Sequence, residues 1–397
     1  MFETTEQTLK ITAINNKMDF QAMQIDSIEI YKLKIRFKTP LKVSIGVTEG
    51  AENVVIKIIT NTGLIGWGEA SPCAYITGDT QATNLVSAEQ LAQLILGKDP
   101  LAIDARMTEI NGFIVGEPSI RSAFDMALYD LAAKAAEMPL YQFLGGASAA
   151  EQPEREFRTD LTIGWQDTVE QTVAQAKEVL DAGFDAIKMK VGRSGLQDVA
   201  HVAAVREFAG PDVAIKVDSN QGWDYPTAVA NINAMAPLNL QYSEQPLAVW
   251  DFANLARLRD KVNLPICADE SVFDDKDALK LVAAGAADYL NIKLGKSGGI
   301  HTGLKINAIA EAAGLKCMIG CFGESRLALS ASAHLALARP NITFLDLDSA
   351  YMFIDDPVQG GMQYDKSVGG LIHVSDAPGL GASFDESMLE SYAVFTV

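Results

Sequence analysis

Three consecutive segments, AIKVDSN (residues 214–220), LQYSEQP (240–246) and PICADES (265–271), each carry a short β-rich run into a carboxylate. Similar runs recur on both sides at intervals of roughly 25–30 residues: RTDLTIG (158–164), DAIKMKV (185–191), YLNIKLG (289–295), KCMIGCF (316–322) and TFLDLDS (343–349). Each run except the last precedes a helical stretch. Eight such steps predict an α/β fold with a parallel barrel. A doubly wound open sheet is the alternative, but it would need a Gly-rich phosphate turn after its first strand.

The rest of the chain divides by its pattern. Residues 1–22 read as a polar extension, and residues 23–150 as an α+β unit. In that unit, period-2 runs up to about Trp67 predict an antiparallel meander, and helical spacing follows from about Ala82 to Leu144. We expect the barrel at 151–350, and a Gly- and Asp-rich segment, 351–397, that returns to the N-terminal unit.

Charge restricts the class of partner. The formal net charge is −19, and hydrophobic residues make up 48% of the chain. A large buried core is therefore expected, whereas nucleic acids and anionic membrane surfaces would repel the protein. The predicted partner is a small molecule, and the sequence leaves a homo-oligomer open.

Four scattered cysteines suit a reducing compartment. Cys317 and Cys321 are spaced C-x3-C in an apolar run, which favours buried strand residues over a metal clip. The first residues lack a signal-peptide pattern, and no apolar window is long enough for a membrane span. We expect a cytoplasmic protein.

Carboxylates at strand ends are the first candidates for chemistry. In a barrel the active site lies at the carboxyl ends of the strands, where Asp218, Glu244 and Asp269 stand. One such residue could cap a helix, but three on neighbouring strands would repel one another without a cation. Oxygen ligands with no His or Cys nearby predict a hard ion, Mg²⁺.

Lysines on two strands supply candidate bases. Lys188 and Lys190 are two residues apart, so they share one face of the second strand, and Lys293 ends the sixth. Strands two and six are opposite in a ring of eight, which would place a base on each side of a metal-bound substrate carbon. A like charge at about 4 Å costs roughly 4 kcal/mol at an effective dielectric near 20, so Lys188 and the metal would bring Lys190 towards neutrality. This chemistry removes a proton next to a carboxylate, helped by a Lewis acid.

Together the motifs IKMKV, KVDSNQGW, SEQP, ADES and NIKLGKSGG resemble the muconate-lactonizing subgroup of the enolase superfamily. The resemblance extends from about Met23 to the end and includes GWGEA (66–70) and YITGD (75–79). It implies a modified TIM barrel, (β/α)7β, with an N-terminal α+β capping domain. It also implies roles for particular residues: Asp218, Glu244 and Asp269 as metal ligands, Lys190 and Lys293 as acid/base lysines, Lys188 as their partner at the substrate carboxylate, and Asn220 and Glu270 as flanking polar groups.

Asp346 and Asp348 end the eighth strand, opposite Glu244. Two carboxylates there call for a substrate with a cation at one end and a carboxylate at the other, as in a dipeptide; a helix cap is the alternative. This D-x-D resembles that of L-Ala-D/L-Glu epimerases. The resemblance implies 1,1-proton transfer at the α-carbon of the C-terminal residue through an enediolate. By the same resemblance, Lys42, in FKTPLKVSIG (37–46), matches an arginine that pairs with the glutamate side chain of the substrate. An acidic C-terminal residue is therefore expected in the dipeptide, and a hydrophobic or smaller residue is the alternative. Thr162 completes the predicted substrate-binding set.

Other activities are less compatible with these residues. Succinylbenzoate synthases and muconate cycloisomerases use the same barrel, but Asp346 and Asp348 would repel their anionic substrates. Acid-sugar dehydratases need a His-Asp pair, and none of the four histidines ends a strand. A Schiff-base aldolase would not need three carboxylates. An inactive ligand-binding barrel is the non-enzymatic alternative.

Overall fold

A computed structural model describes residues 23–152 and 157–397, so the predicted extension at 1–22 lies outside the described residues. The N-terminal unit contributes three strands to a four-stranded antiparallel sheet that packs on helices, and the end of the chain contributes the fourth. Its elements are β1 (Ile25–Val43), β2 (Gly46–Thr60), β3 (Ile65–Ala70), α1 (Gln81–Ile95), α2 (Ile103–Phe113), α3 (Pro118–Ala135) and α4 (Leu140–Phe143), with a 3-10 turn at Ala149–Glu151.

Two glycines of GWGEA explain how the sheet of this unit packs on α3. A Cβ at Gly68 would lie 1.8 Å from the Ala123 carbonyl oxygen, and one at Gly66 would lie 2.3 Å from that of Ala127. Only glycine allows a strand to approach a helix backbone so closely. The side chains on that face, Ile56 and Ile58 among them, are fully buried in the core of the unit.

The second unit is a sheet of eight parallel strands in consecutive order, with at least one helix between each strand and the next. Its strands are β4 (Leu161–Ile163), β5 (Ala186–Lys190), β6 (Ala214–Asp218), β7 (Ser243–Glu244), β8 (Ile266–Ala268), β9 (Tyr289–Ile292), β10 (Lys316–Ile319) and β11 (Ile342–Leu345). Its helices are α5 (Val169–Asp181), α6 (Gln197–Ala209), α7 (Tyr225–Met235), α8 (Phe252–Arg259), α9 (Asp275–Ala284), α10 (Leu294–Ser297), α11 (Ile300–Ala312) and α12 (Arg326–Ala338), with 3-10 turns at Ala236–Leu238 and Val249–Asp251. The predicted (β/α)7β fold class is confirmed.

Side chains join the first and last strands of this sheet. The backbone N–H of Leu347 donates to Thr159 Oγ1 at 2.8 Å, and that of Thr162 donates to Asp348 Oδ2 at 2.7 Å. These bonds bring the start of the sheet beside its end, as a barrel requires. They also fix Asp348 at the mouth.

After β11 the chain forms α13 (Ser349–Met352), β12 (Val358–Gly360), β13 (Gln363–Tyr364), β14 (Ile372–His373), β15 (Ala382–Phe384), a 3-10 turn at Glu386–Met388 and β16 (Glu390–Thr396). The last strand pairs antiparallel with β1, from Ser27↔Thr396 to Lys32↔Glu390. We propose that the described chain divides into the N-terminal unit at 23–150, the barrel at 151–350 and a C-terminal segment at 351–397 that returns to the N-terminal unit. Within the described ranges, no helix combines the length and apolar character that crossing a membrane requires.

Candidate metal and proton-transfer site

Three buried carboxylates meet at the carboxyl edge of the barrel. Asp218 and Glu244 are the last residues of β6 and β7, and Asp269 directly follows β8. One oxygen of each lies within 4.8 Å of the others. Parallel neighbours in register produce this meeting, because Asp218 pairs with Glu244 across the ladder. Burial, followed by the charge of Asp218, raises the pKa of Glu244 to about 7.

The donor set of this trio fits a divalent cation. Asn291 Nδ2 donates to Glu244 Oε1 at 2.8 Å, which orients that carboxylate. Among the described residues, Glu244 Oε2 and both Asp269 oxygens accept no hydrogen bond of good geometry, although ammonium groups lie near them. Buried oxygens without such a bond are uncommon, and an all-oxygen set is what Mg²⁺ prefers.

Two lysines bind the outer carboxylates of the trio from opposite directions. Lys190 Nζ lies 2.6 Å from Asp218 Oδ2, and Lys293 Nζ lies 2.8 Å from Asp269 Oδ2. Their strands, β5 and β9, flank the three strands that carry the carboxylates. The structure therefore places Lys190 and Lys293 on either side of the acidic trio.

Lys188 lies between the trio and the eighth strand. Its Nζ is 2.8 Å from Glu244 Oε2, 3.2 Å from Asp218 Oδ2 and 2.7 Å from Asp346 Oδ2. Burial alone would lower the pKa of Lys188, but the charges of Asp346 and Glu244 outweigh it and raise this pKa well above its usual value. A charged Lys188 is what the sequence analysis expected.

The pKa of Lys293 is also raised, because Asp269 outweighs the effect of burial. The sequence led us to expect that Lys188 and the metal would bring Lys190, rather than Lys293, towards neutrality, and this stays a prediction. At Lys293 the carboxylates dominate the field. A divalent charge on the same oxygens would oppose them.

Asp346, Asp348 and Thr162 come together at the mouth. Asp346 reaches Lys188, and Asp348 accepts from the Thr162 backbone, as described above. Burial, followed by the charge of Asp346, raises the pKa of Asp348 to about 6. Cys321 Sγ lies 3.7 Å from Asp348 Oδ1, and ligand atoms of Cys321, Asp346 and Asp348 lie within 4.8 Å of one another. This end of the site is acidic: among the described residues, Asp346 pairs with Lys188, whereas Asp348 forms no ion pair.

Asn220 and Glu270 lie beside the trio, and their role in the site stays a prediction. Asn220 Nδ2 donates to Glu270 Oε1 at 3.2 Å, and the backbone N–H of Asn220 donates to Asp218 Oδ1 at 2.9 Å. Burial, followed by the charge of Asp269, raises the pKa of Glu270 to about 8. The pair thus borders both outer carboxylates.

Lys42 is not brought to this cluster. Its side chain is exposed on the hairpin that β1 and β2 form. Its contact with the barrel is through the backbone, where the Lys42 carbonyl accepts from the Trp165 N–H at 3.0 Å. The described cleft lining does not include Lys42, so its pairing with a substrate side chain stays a prediction without geometric support.

A cleft of about 940 Å³ between the cap and the barrel leads to the two lysines. Strands β1 and β2 and the 71–81 segment of the cap form one wall. Barrel residues that reach the cleft are Lys190, Asn220, Lys293, Cys321, Phe322 and Gly323. The carboxylate trio lies behind them, fully buried.

Some residues at this site were missed by sequence reasoning. Asn291 precedes Lys293 by two residues, so strand alternation could have placed it on the same face. Lys296 Nζ donates to the carbonyls of Asp269, Val272 and Asn291 at 2.6–2.8 Å. It fixes the Asp269 loop, and nothing in its sequence position distinguished it. Cys321 was read only as a strand cysteine, yet it follows β10 and reaches the cleft.

Comparison with known families covers both units. Residues 171–388 match the model described as "Enolase C-terminal domain-like", and residues 27–145 match "Mandelate racemase / muconate lactonizing enzyme, N-terminal domain".

Individual relatives are similar over nearly their whole length. The chain is 39% identical to a hydrophobic dipeptide epimerase of Enterococcus faecalis, covering 91% of this chain and 100% of the relative. It is 36% identical to an L-Ala-D/L-Glu epimerase of Clostridium acetobutylicum, covering 90% and 98%. A crystal structure of a dipeptide epimerase from Cytophaga hutchinsonii, complexed with Mg and D-Ala-L-Val, superposes with a TM-score of 0.89 at 37% identity, covering 93% and 99%. These findings confirm the predicted resemblance: the chain belongs to the enolase superfamily, in the mandelate racemase/muconate lactonizing enzyme family.

Proposed function

We propose that this protein is a Mg²⁺-dependent dipeptide epimerase, an isomerase that moves a proton at the α-carbon of the C-terminal residue. One observation carries the proposal: a buried trio of carboxylates stands between two lysines, Lys190 at 2.6 Å and Lys293 at 2.8 Å from its outer members. The similarity to relatives named as dipeptide epimerases supports it.

Asp218, Glu244 and Asp269 would hold Mg²⁺, in keeping with their all-oxygen donor set. When bound, the ion supplies a Lewis acid for the substrate carboxylate. Lys188 adds a fixed positive charge beside Asp218 and Glu244, which favours binding of that carboxylate. Charge stabilisation placed before the reaction is a large part of enzymatic rate enhancement.

Lys190 and Lys293 act as the base and the acid, exchanging these roles with the direction of reaction. One lysine removes the α-proton from one face of the substrate, and the other returns a proton to the opposite face of the resulting enediolate. Inversion requires groups on both faces, which the placement of β5 and β9 on either side of the trio provides. Each lysine must lose its proton to act as a base.

Asp346 and Asp348 fit the ammonium end of a dipeptide. Both are buried; Asp346 pairs with Lys188, whereas Asp348 accepts from the Thr162 backbone. A multiply anionic substrate of a succinylbenzoate synthase or cycloisomerase would meet repulsion at this end. The similarity to dipeptide epimerases and the full set of site residues favour an active epimerase over an inactive binding barrel.

All four cysteines are free, which is in keeping with a cytoplasmic location. Homo-oligomerisation stays a prediction.

The proposal is tested by incubating the protein and Mg²⁺ with dipeptides in D₂O. We expect deuterium at the C-terminal α-carbon and formation of both epimers. Lys190→Ala and Lys293→Ala should each lower epimerisation by about 10²–10⁴-fold. Each variant should still exchange the α-proton of one epimer, a different one in each case.

Lys276→Ala serves as the matched control, because Lys276 is an exposed lysine on α9 whose ammonium lies near Asp274 and Asp275. Its epimerase rate should equal that of the parent protein. The proposal would be contradicted if the Lys190 and Lys293 variants both still exchanged the α-proton of both epimers. Turnover of succinylbenzoate-type acids alone would also contradict it.

A further inference from the structure

The turn between β1 and β2 is fastened to the barrel beside the metal-binding trio. Ser44 Oγ lies 2.9 Å from the carbonyl oxygen of Ser219 and 2.8 Å from that of Asn220, to which its hydroxyl donates. These carbonyls belong to the loop directly after Asp218. Asn220 and Gln221 in that loop have positive φ, 39° and 67°, so its backbone is strained and sensitive to its contacts.

Ser44 thereby fixes the position of its neighbour, Ile45. Ile45 is half-buried and lines the same cleft as Lys190, Asn220 and Lys293. A side chain that extends from the reacting carbon of a substrate would enter this cleft, because both lysines line it. Ile45 is thus a cap residue in the wall of the cleft that contains the two bases.

Ile45 is one of a set of apolar side chains in the cleft lining. Phe322 lies beside one base, with its ring centroid 4.7 Å from Lys293 Nζ. Further apolar side chains in the lining are those of Phe37, Leu41, Val43, Ile76 and Ile354. A wall of this kind recognises a substrate side chain by excluding water from apolar surface.

Among the described residues, the positively charged side chains that line the cleft are either paired with carboxylates or exposed to solvent. Lys190 and Lys293 pair with Asp218 and Asp269, as described, and Lys34 pairs with Glu52 at 2.5 Å. Arg36 is exposed, and two glutamates, Glu49 and Glu52, also line the cleft. A substrate carboxylate on the side chain would therefore lose water without gaining a dedicated buried cation, which is unfavourable.

On the basis of the proposed function, we infer that the site takes dipeptides whose C-terminal residue is apolar, with Ile45 as a specificity-determining residue and Ser44 as a positioning residue. This differs from the acidic side chain that the resemblance through Lys42 favoured. The physical reason is the lining: Lys42 lies outside it, and Ile45 lies inside it.

Three substrates of similar length test the inference on the full-length protein with Mg²⁺: L-Ala-L-Met, L-Ala-L-Gln and L-Ala-L-Glu. We expect kcat/KM for epimerisation to fall in that order, with Met over Glu by at least tenfold. Epimerisation that favours L-Ala-L-Glu would overturn the inference and leave the proposed function intact. Absence of α-proton exchange in all three, and in a wider dipeptide set, would remove both.

Variants of the turn separate the two roles. Ile45→Arg should raise the Glu-to-Met ratio of kcat/KM at least tenfold, whereas Ile45→Val, the matched control, should preserve the order. Ser44→Ala should raise KM for L-Ala-L-Met severalfold with a smaller change in kcat, and Ser44→Thr should restore it. An unchanged ratio in Ile45→Arg, or equal losses in the alanine and threonine variants of Ser44, would refute the corresponding assignment.

Discussion

Replacement of Lys188 by methionine removes the cation at the centre of the site and is the most informative single perturbation. The Lys188 ammonium lies 2.7–3.2 Å from Asp218, Glu244 and Asp346, and its side chain is almost fully buried. Removing one partner of a buried ion pair costs about 3–5 kcal/mol, because the other charge stays desolvated. For a chain of 397 residues, about 3 kcal/mol lowers the thermal midpoint by roughly 3–4 °C.

Mg²⁺ should restore part of the stability that Lys188→Met loses, because a cation bound to the trio offsets the charge of the same carboxylates. Lys188 also repels a cation bound to Asp218 and Glu244. Unit charges about 4 Å apart interact by roughly 4 kcal/mol at an effective dielectric near 20. If only about 1 kcal/mol of such repulsion is relieved, Mg²⁺ binds about fivefold more tightly, and at saturating Mg²⁺ the stability rises by the same additional amount.

The assay is thermal unfolding in EDTA and in excess Mg²⁺, with Mg²⁺ affinity measured by calorimetry. Lys216→Met is the matched control: Lys216 is also buried in the barrel, and its Nζ lies 2.7 Å from Asp160 Oδ2. Both variants should lose stability in EDTA, but only Lys188→Met should show a larger Mg²⁺-induced shift than the parent protein. Equal Mg²⁺ shifts in the two variants, or an undiminished midpoint for Lys188→Met in EDTA, would refute this reasoning.

Two further changes follow from the buried contacts. Asn291→Leu removes the 2.8 Å hydrogen bond that orients Glu244, so Mg²⁺ affinity should fall about 10–100-fold by calorimetry; an unchanged affinity would show that Glu244 is held by other groups. Burial lowers the pKa of His334 from 6.5 to about 4, so the unfolded chain takes up this proton first as the pH falls. The free energy of unfolding should therefore decrease between pH 6.5 and 4, by about 3 kcal/mol in total from this group. His334→Asn should make urea unfolding less dependent on pH over that window, and an identical dependence in variant and parent would contradict the assignment.

Much of the site was accessible from sequence because strand geometry is regular. Asp218, Glu244 and Asp269 end adjacent parallel strands, and parallel strands direct their carboxyl ends to one edge. Lys188 and Lys190 share a face because side chains alternate along a strand. Such local rules hold whatever the rest of the chain does. The fold class and the family could therefore be predicted, and both are confirmed.

Long-range contacts were beyond the sequence. Lys42 and Ile45 are three residues apart on one hairpin, and pattern alone could not tell which of them faces the cleft. The irregular pairing between β1 and β2, where the register shifts between Arg36 and Leu41, breaks the simple alternation. The outcome depends on Ser44 meeting carbonyls about 175 residues away in sequence, at Ser219 and Asn220.

The sequence by itself determined the strands, their order and the charged residues at their ends, because periodicity and strand alternation are local properties of the chain. Only the tertiary structure decided which cations are paired, which residues of the cap hairpin line the cleft and how Cys321 comes close to the aspartates after the eighth strand. Pairing energies and burial depend on distances between segments that are remote in sequence, and packing of the whole molecule sets those distances.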